Sequence, residues 1–251
     1  MKDSPEKAGY TPVASDMETK DDKKESQEKP NLWKSLKENV LTQPSLYLLA
    51  ACYFFVYTVR QGVTSWFVFY LIQAKGVPDA AVAAVRVSGL ELGGLAGSLL
   101  AGRLSDMLIR NCREGEGTVG MRIRVVAGYC LGLAAMLGIF TTIPGDAGAL
   151  QWLTVFMIGF FIYGPQMLVG LCGAEIAGPK AVGASQGFLG WIAYLGAANA
   201  GVPISILVKN FGWGAFFTAL MASSLIAFML LVPILNQKSF RQKRVEAGLA
   251  A

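Results

Sequence analysis

Six long apolar runs, at 45–71, 80–102, 123–143, 150–172, 184–208 and 214–235, are separated by short polar connections. Each holds about 20 residues or more, enough for a helix to cross a roughly 30 Å hydrocarbon core. The first run, at 27 residues, must tilt or project. The runs do not alternate residue by residue between apolar and polar, which speaks against β-barrel strands. The pattern therefore predicts an all-α membrane domain of six transmembrane helices over 45–235. Residues 1–44 precede it as a polar segment, and 236–251 follow it as a tail.

Within the leading segment, residues 1–31 are rich in Lys, Glu, Asp, Ser and Pro. Such a stretch cannot bury enough apolar surface to offset its ordering entropy, so disorder is expected. In NLWKSLKENVLTQP, Trp33, Leu36 and Val40 fall at i, i+3 and i+7 with charges elsewhere around the wheel. This predicts a short interfacial helix that ends at Pro44.

Charge and composition sharpen this picture. The chain is 53% hydrophobic and only 16% charged, against roughly 25% charged in ordinary soluble domains. Basic residues cluster between the apolar runs. On the side that holds both termini, Arg103, Arg110, Arg113, Arg122, Arg124, Lys180, Lys238, Arg241, Lys243 and Arg244 stand against Lys75 and Lys209 on the other. The positive-inside bias then predicts cytoplasmic termini. No basic stripe interleaved with aromatics lies on a polar surface, so nucleic acid is not the partner expected; the lipid bilayer is. Histidine is absent and the four cysteines are scattered singly. Those facts exclude Ser-His-Asp and Cys-His catalysis and the usual zinc sites, and no cofactor is expected. Gly89, Gly93, Gly97 and Ala101 recur every four residues, a smooth face for close helix packing. Gly187, Gly190, Gly196 and Gly201 dot the fifth run and suggest the same.

Arg60 lies inside the first run, in FVYTVRQGVTSWFVFY. It is roughly 22 Å and 16 Å from the two ends of that run. Those distances are too great for comfortable snorkelling. Facing lipid would cost about 2.5–3.5 kcal/mol. It is therefore expected to face a wet cavity or a buried anion. Tyr53, Tyr57, Arg60 and Thr64 share one helical face. A guanidinium fork beside hydroxyl groups suits phosphate or carboxylate. The competing reading is an internal ion pair with Glu91, the acidic residue well inside a span, which could equally be a proton or gating carboxylate.

The stretches FVYTVRQGVTSW, ELGGLAGSLLAGRLSD and GFFIYGPQMLVGLCGAEIAGPKAVGASQGFLGWIAYLGA resemble the organophosphate:phosphate antiporters of the major facilitator superfamily. The likeness covers roughly 45–235 and corresponds to the second six-helix half of such a transporter. It implies that 1–44 is the cytoplasmic linker between halves. The domain would work with a missing N-terminal six-helix half, or with a second copy. It also implies that Arg60 clamps the substrate phosphate, with Tyr57 beside it. Tyr163 and Tyr194 would line the central cavity, with Gln166 and Asn199 contacting the organic portion of the substrate. An ordinary membrane-buried role remains open for each of these polar residues. Arg103 and Asp106, in the GRLSD loop signature, and Glu175 with Lys180 read as cytoplasmic gate residues.

The expected function is exchange of a phosphorylated sugar or glycerol phosphate for inorganic phosphate by alternating access. A membrane sensor that binds sugar phosphate without transporting it is the alternative, since its binding chemistry would be the same. A membrane enzyme is the weakest reading, because the spans hold no acid pair and no metal cluster. An endoplasmic-reticulum membrane and a bacterial inner membrane both suit the sequence.

Overall fold

The computed structural model describes residues 40–113 and 115–248. The predicted interfacial helix lies outside the described residues apart from its last positions, where Val40–Thr42 form a turn. The first helix, α1 (Pro44–Gln73), opens with its proline at the first position, where no amide hydrogen is needed. Its 30 residues span about 45 Å, so it exceeds the hydrocarbon thickness. Asp79 then caps α2 (Ala80–Val87) by accepting from the Ala81 amide. Only Ser88 separates α2 from α3 (Gly89–Arg110). Next come α4 (Thr118–Thr142) and α5 (Gly148–Ala177), which carries Pro165 inside it. A 3₁₀ turn at Pro179–Ala181 leads to α6 (Val182–Ala198) and α7 (Val202–Leu231). A second 3₁₀ turn, Val232–Ile234, and α8 (Phe240–Glu246) close the chain.

Six passes result, though their limits differ from the apolar runs. The second continues to Arg110 and the third starts at Thr118. These extra turns carry charges, and hydropathy does not register a helix that outlasts the hydrocarbon. The fifth run is broken. It comprises α6, an interruption at Asn199–Gly201, and the first part of α7 up to Phe211. Gly201, with Pro203 in the first turn of α7, explains the break, since glycine holds a helix weakly and proline lacks an amide hydrogen. Gly212, at φ 77 and ψ −177, then separates the sixth pass from the fifth. Residue pairings give the directions. α6 runs with α1, with Phe188 on Tyr47 and the Trp66 indole on the Ala200 carbonyl. The last part of α7 runs against α1, with Trp213 near Tyr70 and Leu220 near Gly62.

The tightest packing is between α3 and α5. A Cβ on Gly93 would stand 1.8 Å from the Phe156 carbonyl oxygen, and one on Gly97 2.0 Å from that of Phe160. Gly89 meets the Trp152 carbonyl in the same way, and Ala101 is fully buried beneath Gly164. Small residues thus let two backbones touch, which is how helices gain contact where lipid offers no hydrophobic driving force. In α6 the expected packing face reduces to Gly196, which meets the Phe54 carbonyl of α1. Gly187 and Gly190 look into open space, and Gly201 belongs to the helix break.

The apolar core forms two clusters stacked along the bundle. One takes Leu46–Val56 of α1, Leu168–Ala177 of α5 and Leu189 and Ala193 of α6. The other takes Val59–Leu71, Val155–Ile162 and Ala200 with Ile204. Tyr57 and Arg60, Tyr163 and Gln166, and Tyr194 with Asn199 lie in or beside the seam between them. Beyond the end of α1, Lys75 Nζ donates to the carbonyls of Thr141 and Ile143 at 2.8 and 2.6 Å. Arg86, hidden in the second apolar run, donates to the Gly145 carbonyl and to Gln151 Oε1, each at 2.7 Å.

Candidate functional site

α1 presents Arg60 half-buried at this seam, with Tyr57 one turn before it. Its guanidinium carbon lies 5.9 Å from the centre of the Tyr57 ring and 5.4 Å from that of Tyr163 on α5. Both rings offer negative π faces to the cation. Arg60 makes no ion pair among the described residues. Its Nε atom is buried without a hydrogen-bond partner. A buried donor left unpaired costs roughly 1–3 kcal/mol, so the group is set up to meet an acceptor.

Glu91 is not that acceptor. Its Oε2 receives the Tyr163 hydroxyl at 2.6 Å. Tyr163 therefore stands between the carboxylate of α3 and the guanidinium of α1. Gln166, three residues further along α5, donates to the Tyr57 hydroxyl at 3.5 Å, and its Oε1 is a second buried atom without a partner. Pro165 beside it cannot donate to the helix ladder, which loosens α5 at the seam.

The other members of the stripe are differently placed. Tyr53 is buried, and its hydroxyl donates to the Gln166 carbonyl at 2.8 Å, so it braces α1 against α5. The Thr64 hydroxyl donates back to the Arg60 carbonyl. Tyr194 on α6 is exposed, with its ring 5.8 Å from Tyr57. Asn199 follows the last residue of α6 and donates to the Leu195 carbonyl. Arg60, Tyr57, Tyr163, Gln166, Glu91 and Tyr194 thus come together, while Tyr53 stands behind them and Asn199 at the helix break.

At the opposite end of α3, Asp106 and Glu175 both pair with Arg122, each at 3.0 Å. Arg122 also donates to the buried Ser105 hydroxyl. Arg103 is exposed and enters no ion pair among the described residues, and the Lys180 side chain lies outside them. Arg122 was counted in the sequence only as one more positive-inside charge. Nothing in its spacing marks it as the link between α3 and α5, because Arg122, Asp106 and Glu175 come from three separate helices. Gln61, Ser65 and Trp66 also escaped notice, being scattered polar and aromatic residues within an apolar run.

Six antiparallel and parallel passes around a half-buried arginine define a polytopic six-helix membrane bundle. The sequence matches the Major Facilitator Superfamily over residues 12–201. The chain belongs to that superfamily, within its organophosphate:phosphate antiporter family. It is 40% identical over 198 residues to a probable hexose phosphate transport protein of Chlamydia trachomatis, covering 78% of this chain and 41% of that one. Over 207 residues it is 35% identical to the membrane sensor protein UhpC of Escherichia coli, covering 82% and 45%. Over 227 residues it is 30% identical to the hexose-6-phosphate:phosphate antiporter of Escherichia coli, covering 84% and 45%. The chain thus spans less than half the length of each of these relatives. They are carriers and a sensor, not enzymes.

Proposed function

We propose that this domain is the phosphate-binding half of a carrier that exchanges a phosphorylated sugar or glycerol phosphate for inorganic phosphate. One observation supports this above the rest. Arg60 sits within the bundle with an unpartnered Nε, between two tyrosines and in no ion pair among the described residues. A planar guanidinium can grip a phosphate through two parallel charge-assisted bonds. Tyr57, Tyr163, Tyr194 and Gln166 supply further hydrogen-bonding groups around it, Tyr53 holds Gln166 in place, and Asn199 contributes at the rim. The relatives named for hexose phosphate transport support the substrate class.

Alternating access then follows from charge. An arginine from each half would contact the same phosphate and draw the halves together. Empty, the like charges would resist closure, so crossing is easier when loaded. Glu91 would act as a proton or gating carboxylate through Tyr163. Asp106 and Glu175, together with Arg103 and Lys180, would form the cytoplasmic gate. The unpaired apolar surfaces of α3 (Leu92, Leu95, Leu99) and α6 (Trp191, Leu195) suit contact with the N-terminal six-helix half or with a second copy. Both termini are assigned to the cytoplasm; labelling of Asp79→Cys, but not Arg113→Cys, by an impermeant maleimide from outside tests this, and the reverse pattern would refute it.

The test of the main reading is Arg60→Lys in the full-length protein. It keeps the charge and removes the planar fork. Phosphate self-exchange should fall at least tenfold; near-normal exchange would refute the bidentate grip. The 35% identity to a protein named as a membrane sensor favours a second reading, binding without transport. Reconstituted vesicles that bind sugar phosphate yet take none up would establish it.

A further inference from the structure

A cavity of about 630 Å3 opens between α1 and the break that separates α6 from α7. Its walls include Gln61, Ser65, Trp66, Phe69, Tyr194 and Gly201. That volume is in the range of small-molecule sites. It adjoins the Arg60 site through Tyr194, which lines the cavity and packs its ring on Tyr57. Its chemistry is different. The lining carries no formal charge, and its polar atoms are amide and hydroxyl groups.

These groups keep hydrogen-bonding capacity. Gln61 Nε2 donates to Ser65 Oγ at 3.1 Å, which leaves Gln61 Oε1, the second amide hydrogen and the serine proton for a ligand. The Tyr194 hydroxyl has no partner among the described residues. Ser65 stands about 7.5 Å beyond Arg60 along the helix axis, room for a sugar ring outside an anchored phosphate. Trp66 sets the shape of this wall. Its indole Nε1 donates to the Ala200 carbonyl at 2.6 Å and so pins the broken end of α6 against α1.

We infer that Gln61, Ser65 and Tyr194 form an uncharged hydroxyl-binding subsite that takes the sugar of a phosphorylated substrate while Arg60 takes its phosphate. Inorganic phosphate would occupy only the Arg60 end. Selection between the two substrates would then rest on these residues and not on the arginine. A site built to bond a hydroxyl rejects an analogue lacking it, because its own polar groups are left unpaired. The inference rests on the sugar-phosphate reading above.

The experiment compares the full-length protein with its Gln61→Leu/Ser65→Ala variant in proteoliposomes. Binding of inorganic phosphate, glucose 6-phosphate and deoxy analogues of glucose 6-phosphate is measured by displacement of labelled phosphate. The variant should lose affinity for glucose 6-phosphate about tenfold more than for phosphate. The deoxy analogue that binds worst to the unaltered protein should bind the variant as well as glucose 6-phosphate does. Equal losses for both ligands, or an undiminished deoxy penalty, would overturn the subsite. A separate failure is recognisable: if the unaltered protein binds neither phosphate nor glucose 6-phosphate, the reading beneath the inference falls, and the inference with it.

Discussion

The hydroxyl of Tyr163 donates to Glu91 Oε2 at 2.6 Å, and the ring of the same tyrosine faces Arg60. One side chain therefore separates the acidic and basic groups of the seam and touches both. Tyr163→Phe keeps the ring and deletes the donor. Hydrogen bonds to charged groups contribute about 1.5–3 kcal/mol, and less where water reaches them. Sugar-phosphate binding should weaken roughly 3- to 10-fold, measured by displacement of labelled phosphate. If Glu91 is free to reach Arg60 once the tyrosine hydroxyl is gone, Glu91→Gln added to Tyr163→Phe should restore part of the loss. No effect from either change would show that the tyrosine does not separate the two charges.

The contact of α3 with α5 is set by backbone against backbone. Gly93→Leu must displace α5, because its Cβ would meet the Phe156 carbonyl at 1.8 Å. Overpacking of this kind costs about 1–3 kcal/mol, more when backbone must move. Thermal unfolding in detergent should occur at distinctly lower temperature for Gly93→Leu. Gly187→Leu on α6, which meets nothing within 4 Å, should unfold close to the unaltered protein.

Arg122 joins two acids across helices. Its side chain is 13% exposed, that of Glu175 27% and that of Asp106 59%. The Glu175 pair should therefore matter more than the screened Asp106 pair. Glu175 Oε2 is already buried without a partner, so Arg122→Ala would leave that carboxylate with no ion pair among the described residues. Burial holds its pair tighter than a surface bridge, and removing one partner costs more than the pair contributes. Arg122→Ala should destabilise by about 1–3 kcal/mol in a denaturation series, whereas Arg103→Ala should stay within about 0.5 kcal/mol.

Lys75 supplies a pH test. It caps the carbonyls that end α4, and loss of solvent lowers the pKa of its amine below the usual lysine value of 10.5. A lowered pKa means that the folded protein binds fewer protons than the unfolded chain in the window between the two values. Stability contributed by this group therefore rises with pH from the lowered value up to 10.5. The unfolding temperature of the unaltered protein should gain on that of Lys75→Met as pH is raised through this alkaline range. A constant difference would contradict the assignment.

Much of this architecture could be read from the residues. The six passes follow from apolar length, and the Gly89-Gly93-Gly97 spacing forecast the close backbone contact of α3 with α5. Arg60 stood out because charge within lipid must have a reason. What escaped detection has a common cause. The partnership of Arg122 with Asp106 and Glu175 joins residues 16 and 53 positions apart. No periodicity records such a tie. The break at Asn199–Gly201 sits inside a stretch, Val182–Ile234, that is apolar enough to read as one segment, so hydropathy passes over it. Glu91 was weighed against Arg60 because opposite charges attract, whereas Tyr163, an apolar-looking aromatic, takes the position between them.

Trp66 lies 6.3 Å from Trp213 and holds the loose end of α6 through its indole. Indole emission depends on such bonding and on neighbouring rings. The molecule thus contains a natural optical gauge at its discontinuous pass, readable without dyes, that would register any sliding of that pass along α1.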